Sequence, residues 1–316
     1  MTIRQVKVAR GAAFAAALLM LGACGSPGGG GGVSGPVVID GSSTVEPLSS
    51  AAAELYMSEH PEVNVTVGTS GTGGGFEKFC AGETDISDAS RPIKDKEAQI
   101  CQQHNIQYTE LHVANDALSV VVNKDNTWAE CLTVGQLKKI WEPGSQVKTW
   151  NQVDPKFPNE PLALFGAGSD SGTFDYFTEA INGKEGESRT DYNPSEDDNV
   201  TVQGVASSKG GLGYFGYSYL EANADKLKAV KVDSGGGCVA PSPETAQNGT
   251  YKPLSRPLFI YASDAGVKKP QVASFAEFYL QQNQKIVEAA KFIPLTEQQK
   301  GESQGELQQL KAKAGN

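Results

Sequence analysis

Apolar and polar positions alternate in two periods along this chain, and the two periods take turns. In "GPVVIDGSSTVEPLSSAAAELYMSEHP" a short apolar run reaches a polar turn, and a helical spacing then runs to a stop at Pro61. The plan repeats in "VNVTVGTSGTGGGFEKFCAGE". There Val63, Val65 and Val67 alternate as a strand does, and a helix is expected from about Phe76. "TDISDASRPI" and "DALSVVVNKDN" read as strands, and "LTVGQLKKIWEPG" as a helix ended by Pro143 and Gly144. "LFGAGSDSGTFDYFTEAI" is a third strand, turn and helix, with its amphipathic run starting at Phe174. "VTVQGVASSKGGLGYFGYSYLEA" predicts a helix, a glycine break and an aromatic strand. "RPLFIYAS" predicts a strand, "PQVASFAEFYLQQNQKIVEAA" an amphipathic helix, and "TEQQKGESQGELQQLKAKA" a polar helix. Strands and helices that alternate in this way predict α/β layers.

The first residues stand apart from that pattern. "MTIRQVKVAR" carries Arg4, Lys7 and Arg10, and an apolar run too short to span a bilayer follows. Together they predict a secretory signal over 1–23. The run ends in "LGAC", which resembles a bacterial lipobox. This implies cleavage before Cys24, lipidation of that residue, and a protein held on the extracytoplasmic face of the cell membrane. "GSPGGGGGVSG" then reads as a flexible tether over 24–35.

Composition adds three exclusions. The 316 residues are 39 % hydrophobic and 20 % charged, with a formal net charge of −10, and signal cleavage removes only positive charge. An acidic chain of this kind does not suit nucleic acid. The three histidines are not at metal-ligand spacing and no CxxC occurs, so neither a metal nor a cofactor is expected. "GTGGGF" puts Phe76 where a dinucleotide fingerprint needs its last glycine, and no GxxxxGK[ST] exists.

Three turns share one chemistry: "DGSSTVEP", "GTSGTGGG" and "GSDSGT". Each puts hydroxyls and backbone N–H groups near a helix start. One such turn is ordinary capping. Three that converge would form a pocket for a small multi-oxygen anion. "SDSG" also admits a serine hydrolase using Ser171, but GxSxG is absent, and strand–helix alternation contradicts the all-β protease fold to which a "GDSG" belongs. "DASRPI" adds Arg91 in a setting suited to bidentate recognition of a tetrahedral oxyanion.

Taken together, "IDGSSTVEPLS", "VGTSGTGGGFEKFCAGETDISDASRPI", "LTVGQLKKIW", "GSDSGTFDYF", "EDDNVTVQGVA", "GLGYFGY" and "RPLFIY" resemble the phosphate-binding lipoproteins of bacterial high-affinity phosphate ABC importers, the PstS family. The resemblance covers nearly the whole mature chain. It implies a two-lobed, hinged α/β solute-binding protein of the type II periplasmic-binding-protein kind, with inorganic phosphate in the interlobe cleft and a membrane permease as partner. Lobe 1 is expected over 36–114 plus 257–316 and lobe 2 over 115–256, with crossings near Ala114–Ala117 and Arg256–Pro257. A monomer is expected. By motif match, phosphate would be held by Ser43, Thr44 and the N–H of Val45, by Ser70, by Ser90 and Arg91, and by Ser171, Gly172 and Thr173. The family's usual arginine before the third turn is Ala167 here, and its usual aspartate in the "DASRP" segment is Ser90. Arg91 is therefore expected to supply the cation, with Arg256 next in line, and Asp88 to accept the phosphate proton. Cys80, Cys101, Cys131 and Cys238 predict two disulfides. The local pairing 80–101 with 131–238 keeps each bond inside one lobe. Sulfate is the alternative ligand, and a surface signalling or adhesive lipoprotein with a vestigial site is a further alternative.

Overall fold

The computed structural model describes residues 33–169, 171–195 and 197–315. The signal, Cys24 and most of the expected tether lie outside the described residues. Among the described residues there are twelve strands: Gly35–Gly41 (β1), Val63–Gly68 (β2), Ile86–Ala89 (β3), Tyr108–Asn123 (β4), Cys131–Thr133 (β5), Ala163–Ala167 (β6), Asn193–Ser195 (β7), Gly211–Gly216 (β8), Leu227–Ala229 (β9), Lys231–Asp233 (β10), Cys238–Val239 (β11) and Ser255–Ser263 (β12). The main sheet runs β2-β1-β3-β12-β4-β8-β6-β7, with β9 on β4, and β11-β10-β5 form a small second sheet.

Both ends of the main sheet are parallel: β1 lies between β2 and β3, and β6 between β7 and β8. The middle is antiparallel, β12 pairing with both β3 and β4, and β4 with β8. Strand β4 joins the two halves. Its first part pairs with β12 from Tyr108 to Ala117, and its second with β8 from Leu118 to Val122. The apolar interior divides at the same place. One large cluster draws on residues 37–114 and 258–310. Another draws on residues 117–254 and adds Ile293, whose backbone bridges to Asn115. The residues expected at the crossings lie on these two neighbouring strands, with Arg256 opposite Asp116 and Pro257 opposite Asn115. The disulfides are Cys80–Cys101 and Cys131–Cys238.

Several elements depart from the sequence reading. The helix expected from Phe76 begins at Gly71. Glycine disfavours helix by about 1 kcal/mol relative to Ala, yet Gly75 passes so close to β1 that a Cβ there would lie 2.5 Å from the Gly41 Cα. Packing of helix on sheet overrides propensity. The aromatic strand stops at Gly216, and Tyr217–Ala222 is a short helix. The long amphipathic segment breaks into Pro270–Gln281 and Asn283–Ala290. The third-turn helix is only Gly172–Phe177, followed by a wider turn of helix through Asn182.

Candidate anion-binding site

Ligands of open α/β sheets collect beyond the carboxyl ends of parallel strands, where the strand order reverses. Here the order reverses at β1, and the turns after β1, β2 and β3 carry Ser42–Val45, Ser70 and Ser90–Arg91. The turn after β6 carries Ser171–Thr173 from the other half of the sheet. The two sets meet. Thr44 Oγ1 lies 3.5 Å from the Gly172 carbonyl oxygen. A Cβ on Gly172 would stand 2.8 Å from Thr44 Oγ1 and 3.0 Å from the Thr44 nitrogen. Only a residue without a side chain allows that approach.

On either side of this contact lies a cavity. The larger, of about 350 Å³, is lined by Ser43, Thr44, Ser70, Thr72, Ser90, Arg91 and Gly172, and also by Arg256 and Tyr176. The smaller, of about 230 Å³, is lined by Ser43, Thr44, Ser171, Gly172 and Thr173, with Tyr217, Tyr219 and Lys291 on its wall. Eight of the nine expected phosphate contacts therefore face one cavity or both, and Ser43, Thr44 and Gly172 face both. Val45 faces neither. It is buried, and its N–H donates to the Ser42 carbonyl at 3.1 Å.

Several of the hydroxyls are oriented by a neighbour. Ser70 donates to Asp40 Oδ1 at 2.6 Å, and its N–H donates to the same oxygen at 2.9 Å. Burial raises the Asp40 pKa, but Lys78, which reaches Asp40 at 2.5 Å, and the two Ser70 bonds outweigh it and hold the carboxyl below its usual range. Ser90 and Thr72 share a hydroxyl pair at 3.1 Å, and the Ser90 N–H donates to Thr72 Oγ1. Ser171 accepts from the Thr173 N–H at 3.1 Å, capping its helix. Among the described residues the Ser171 hydroxyl is met by a backbone amide and by no base.

The charged groups differ from expectation in two ways. Arg91 faces the larger cavity, but its fork is bound to Glu97 by two bonds of 2.9 and 2.8 Å, and it donates to the Pro92 carbonyl as well. The bonds to Glu97 raise its pKa further, against burial. Arg256 donates from Nη2 to Thr44 Oγ1 at 2.9 Å and from Nε to Asp116 at 3.3 Å. Its guanidinium lies over the Tyr176 ring, 3.5 Å from the centroid. Asp88 is not in either cavity. It is fully buried, accepts from Ser49 at 2.7 Å, and has its other carboxylate oxygen unpartnered. Burial pushes its pKa up to about 8, with Glu46 and Asp40 adding to the rise against the Ser49 bond. The carboxylates that do line the larger cavity are Asp175, Glu179 and Glu185, and Lys94 also lines it. Burial, Glu185 and Glu179 raise the Asp175 pKa, and Arg256 opposes them. No group of His, Cys, Asp or Glu able to hold a metal exists among the described residues.

Residues 26–283 match the PBP superfamily domain. Over 262 residues the chain is 52 % identical to protein SphX of Synechococcus elongatus, an alignment covering 82 % of this chain and 77 % of that one. It is 42 % identical over 298 residues to the phosphate-binding protein PstS of Staphylococcus saprophyticus, covering 93 % and 92 %.

This chain belongs to the PstS/SphX family.

The crystal structure of a possible phosphate binding protein from Planctomyces limnophilus superposes with a TM-score of 0.84 at 51 % identity, covering 88 % of this chain and 99 % of that one. The PstS/SphX family is one of solute-binding proteins and not of enzymes, which removes the serine hydrolase reading of Ser171. Sequence reasoning missed Thr72 and Tyr176 as lining residues and placed Arg256 second. Thr72 sat in a quoted motif and was findable. Tyr176 lies five residues past Ser171, but nothing in the sequence aims its ring at Arg256.

Proposed function

We propose that this protein captures inorganic phosphate outside the cytoplasm and delivers it to an ABC permease. The observation that carries the reading is the meeting of Thr44 with Gly172, which brings hydroxyl and N–H donors from both halves of the sheet to one place. Phosphate would be bound by Ser43, Thr44, Ser70, Ser90 and the Ser171–Thr173 turn, with lobe 1 over 36–114 plus 257–316 and lobe 2 over 115–256. It favours the closed arrangement because only that arrangement offers both donor sets. Relatives named phosphate-binding proteins, 40–42 % identical over most of the chain, support the choice of ion. No helix among the described residues is long and apolar enough to cross a membrane. The lipobox-like "LGAC" supports anchoring through Cys24, and the protein acts as a monomer at that surface. Calorimetric titration of the purified protein with phosphate and with sulfate tests the reading. One-to-one phosphate binding is expected; sulfate binding of equal strength would make the site a general tetrahedral-oxyanion site.

A further inference from the structure

Two arginines face the larger cavity, and their donors are disposed differently. A guanidinium has five N–H donors. In Arg91 two of them hold both oxygens of Glu97 and a third bond reaches the Pro92 carbonyl, so the fork that would grip an oxyanion already grips a carboxylate. In Arg256 one N–H goes to Asp116 and one to Thr44. The other three have no protein acceptor among the described residues, and the side chain lines the cavity. The plane of Arg256 is also fixed. The Tyr176 ring lies beneath it, 3.5 Å from the guanidinium carbon to the ring centroid, and the Tyr176 hydroxyl is tied to the Pro253 carbonyl at 2.8 Å. Asp116, 5 % exposed, sits opposite on the neighbouring strand. A stacked, carboxylate-braced guanidinium loses little freedom when it binds an anion.

Resting on the phosphate reading, we propose that Arg256 is the residue that charges the site, with Asp116 and Tyr176 as its positioning residues, and that Arg91 is a structural ion pair on the rim. Arg256 stands on β12 where that strand crosses between the two halves of the sheet, touching Thr44 from one side and Tyr176 from the other. An anion seated beside Thr44 meets a donor that belongs to the hinge itself. Arg256 thus does two jobs: it supplies the positive charge that Ala167 cannot, and it ties the ligand to the strands that must bend.

Calorimetric titration with inorganic phosphate separates the two arginines. Arg256→Gln is expected to weaken binding at least thirtyfold and Arg91→Gln less than threefold. Arg256→Lys, which keeps the charge but cannot hold Asp116 and an anion with one planar fork, is expected to fall between wild type and Arg256→Gln. Tyr176→Phe keeps the ring but frees it from the Pro253 carbonyl and should weaken binding less than Tyr176→Leu, which should weaken it about tenfold. A second measurement uses the wild-type protein, so that a misfolded variant cannot decide the matter. In the 15N spectrum of arginine side chains, phosphate should shift the Nε–H signal of Arg256 and leave that of Arg91 in place. Binding within threefold of wild type for Arg256→Gln, or a shift at Arg91 without one at Arg256, overturns the assignment. A wild-type protein that binds no phosphate overturns the phosphate reading itself, which is a different result.

Discussion

Ser171 shows how one side chain can carry two loads. Its oxygen accepts the Thr173 N–H as a helix cap, and its hydrogen remains available to a ligand. Ser171→Ala should therefore lower thermal stability by about 1 kcal/mol through the lost cap and, separately, weaken phosphate binding by roughly 0.5–3 kcal/mol. Melting curves and calorimetry read the two effects independently. For the proton acceptor, the geometry favours a different carboxylate from the one the sequence suggests. Phosphate near neutral pH carries a proton and sulfate does not, so rejecting sulfate needs an acceptor at the ligand. Asp88 was attractive because it neighbours Arg91 in the chain, but a strand sends successive side chains to opposite faces, and Asp88 enters the core beside Ser49. Asp175 lines the cavity. Competition of labelled phosphate with sulfate should show a preference of about a hundredfold, roughly 2.7 kcal/mol. Asp175→Asn should narrow it and Asp88→Asn should leave it unchanged. Asp88 should appear instead in the pH dependence of stability. Its carboxyl titrates near 3.8 when free and near 8 when folded. The folded state thus binds more protons than the unfolded between those values, and stability falls as pH rises through that window, by up to about 1.4 kcal/mol per pH unit from this group. Below it nothing is lost, and above it the loss is complete. Denaturant titrations from pH 4 to pH 9 should flatten in Asp88→Asn.

At the scale of elements, the three turns were legible because their chemistry is local: a strand, a run of small hydroxyl and glycine residues, a helix. The disposition of the turns was not, since nothing in "GTGGG" says that Gly75 must touch β1. Two glycine substitutions separate fold from function. Gly75→Ala puts a Cβ 2.5 Å from the Gly41 Cα and 2.9 Å from Ser87 Oγ, inside the packing of helix on sheet. It should cost about 1–3 kcal/mol of stability, the usual range for overpacking. Gly172→Ala puts its Cβ against Thr44 across the cleft. It should leave the melting temperature nearly unchanged, because the lobes can part to admit the methyl, and should weaken phosphate binding at least tenfold. A Gly172→Ala variant with wild-type affinity would show that the two turns do not close on the ion together.

At the scale of the molecule, the alternation of periods announced α/β layers, and the family resemblance implied two lobes. The bonds between the lobes were silent in the sequence. Arg256 and Thr44 are 212 positions apart, and no periodicity connects them. A second tie lies at Lys291, whose ammonium bonds the Tyr219 hydroxyl at 3.0 Å and sits over that ring, while its carbonyl accepts from Ser218 at 2.9 Å. Ser218 and Tyr219 belong to the half of the fold that holds β8, and Lys291 to the other. Lys291→Ala should raise the population of open molecules, seen as a larger radius of gyration in small-angle scattering, with the difference removed by saturating phosphate. The route of the chain also sets an order in time. Residues 117–254, which supply all of one apolar cluster except Ile293, are contiguous, whereas the other cluster needs both 37–114 and 258–310. A polypeptide emerging from a membrane pore can complete the first body while its last sixty or so residues are still inside, and must leave the second unfinished until they arrive. Pulse-labelled hydrogen exchange during refolding should accordingly protect the amides of β8 before those of β1. A protein whose carboxyl terminus is cut short would emerge with one finished half and a hydrophobic face that nothing covers.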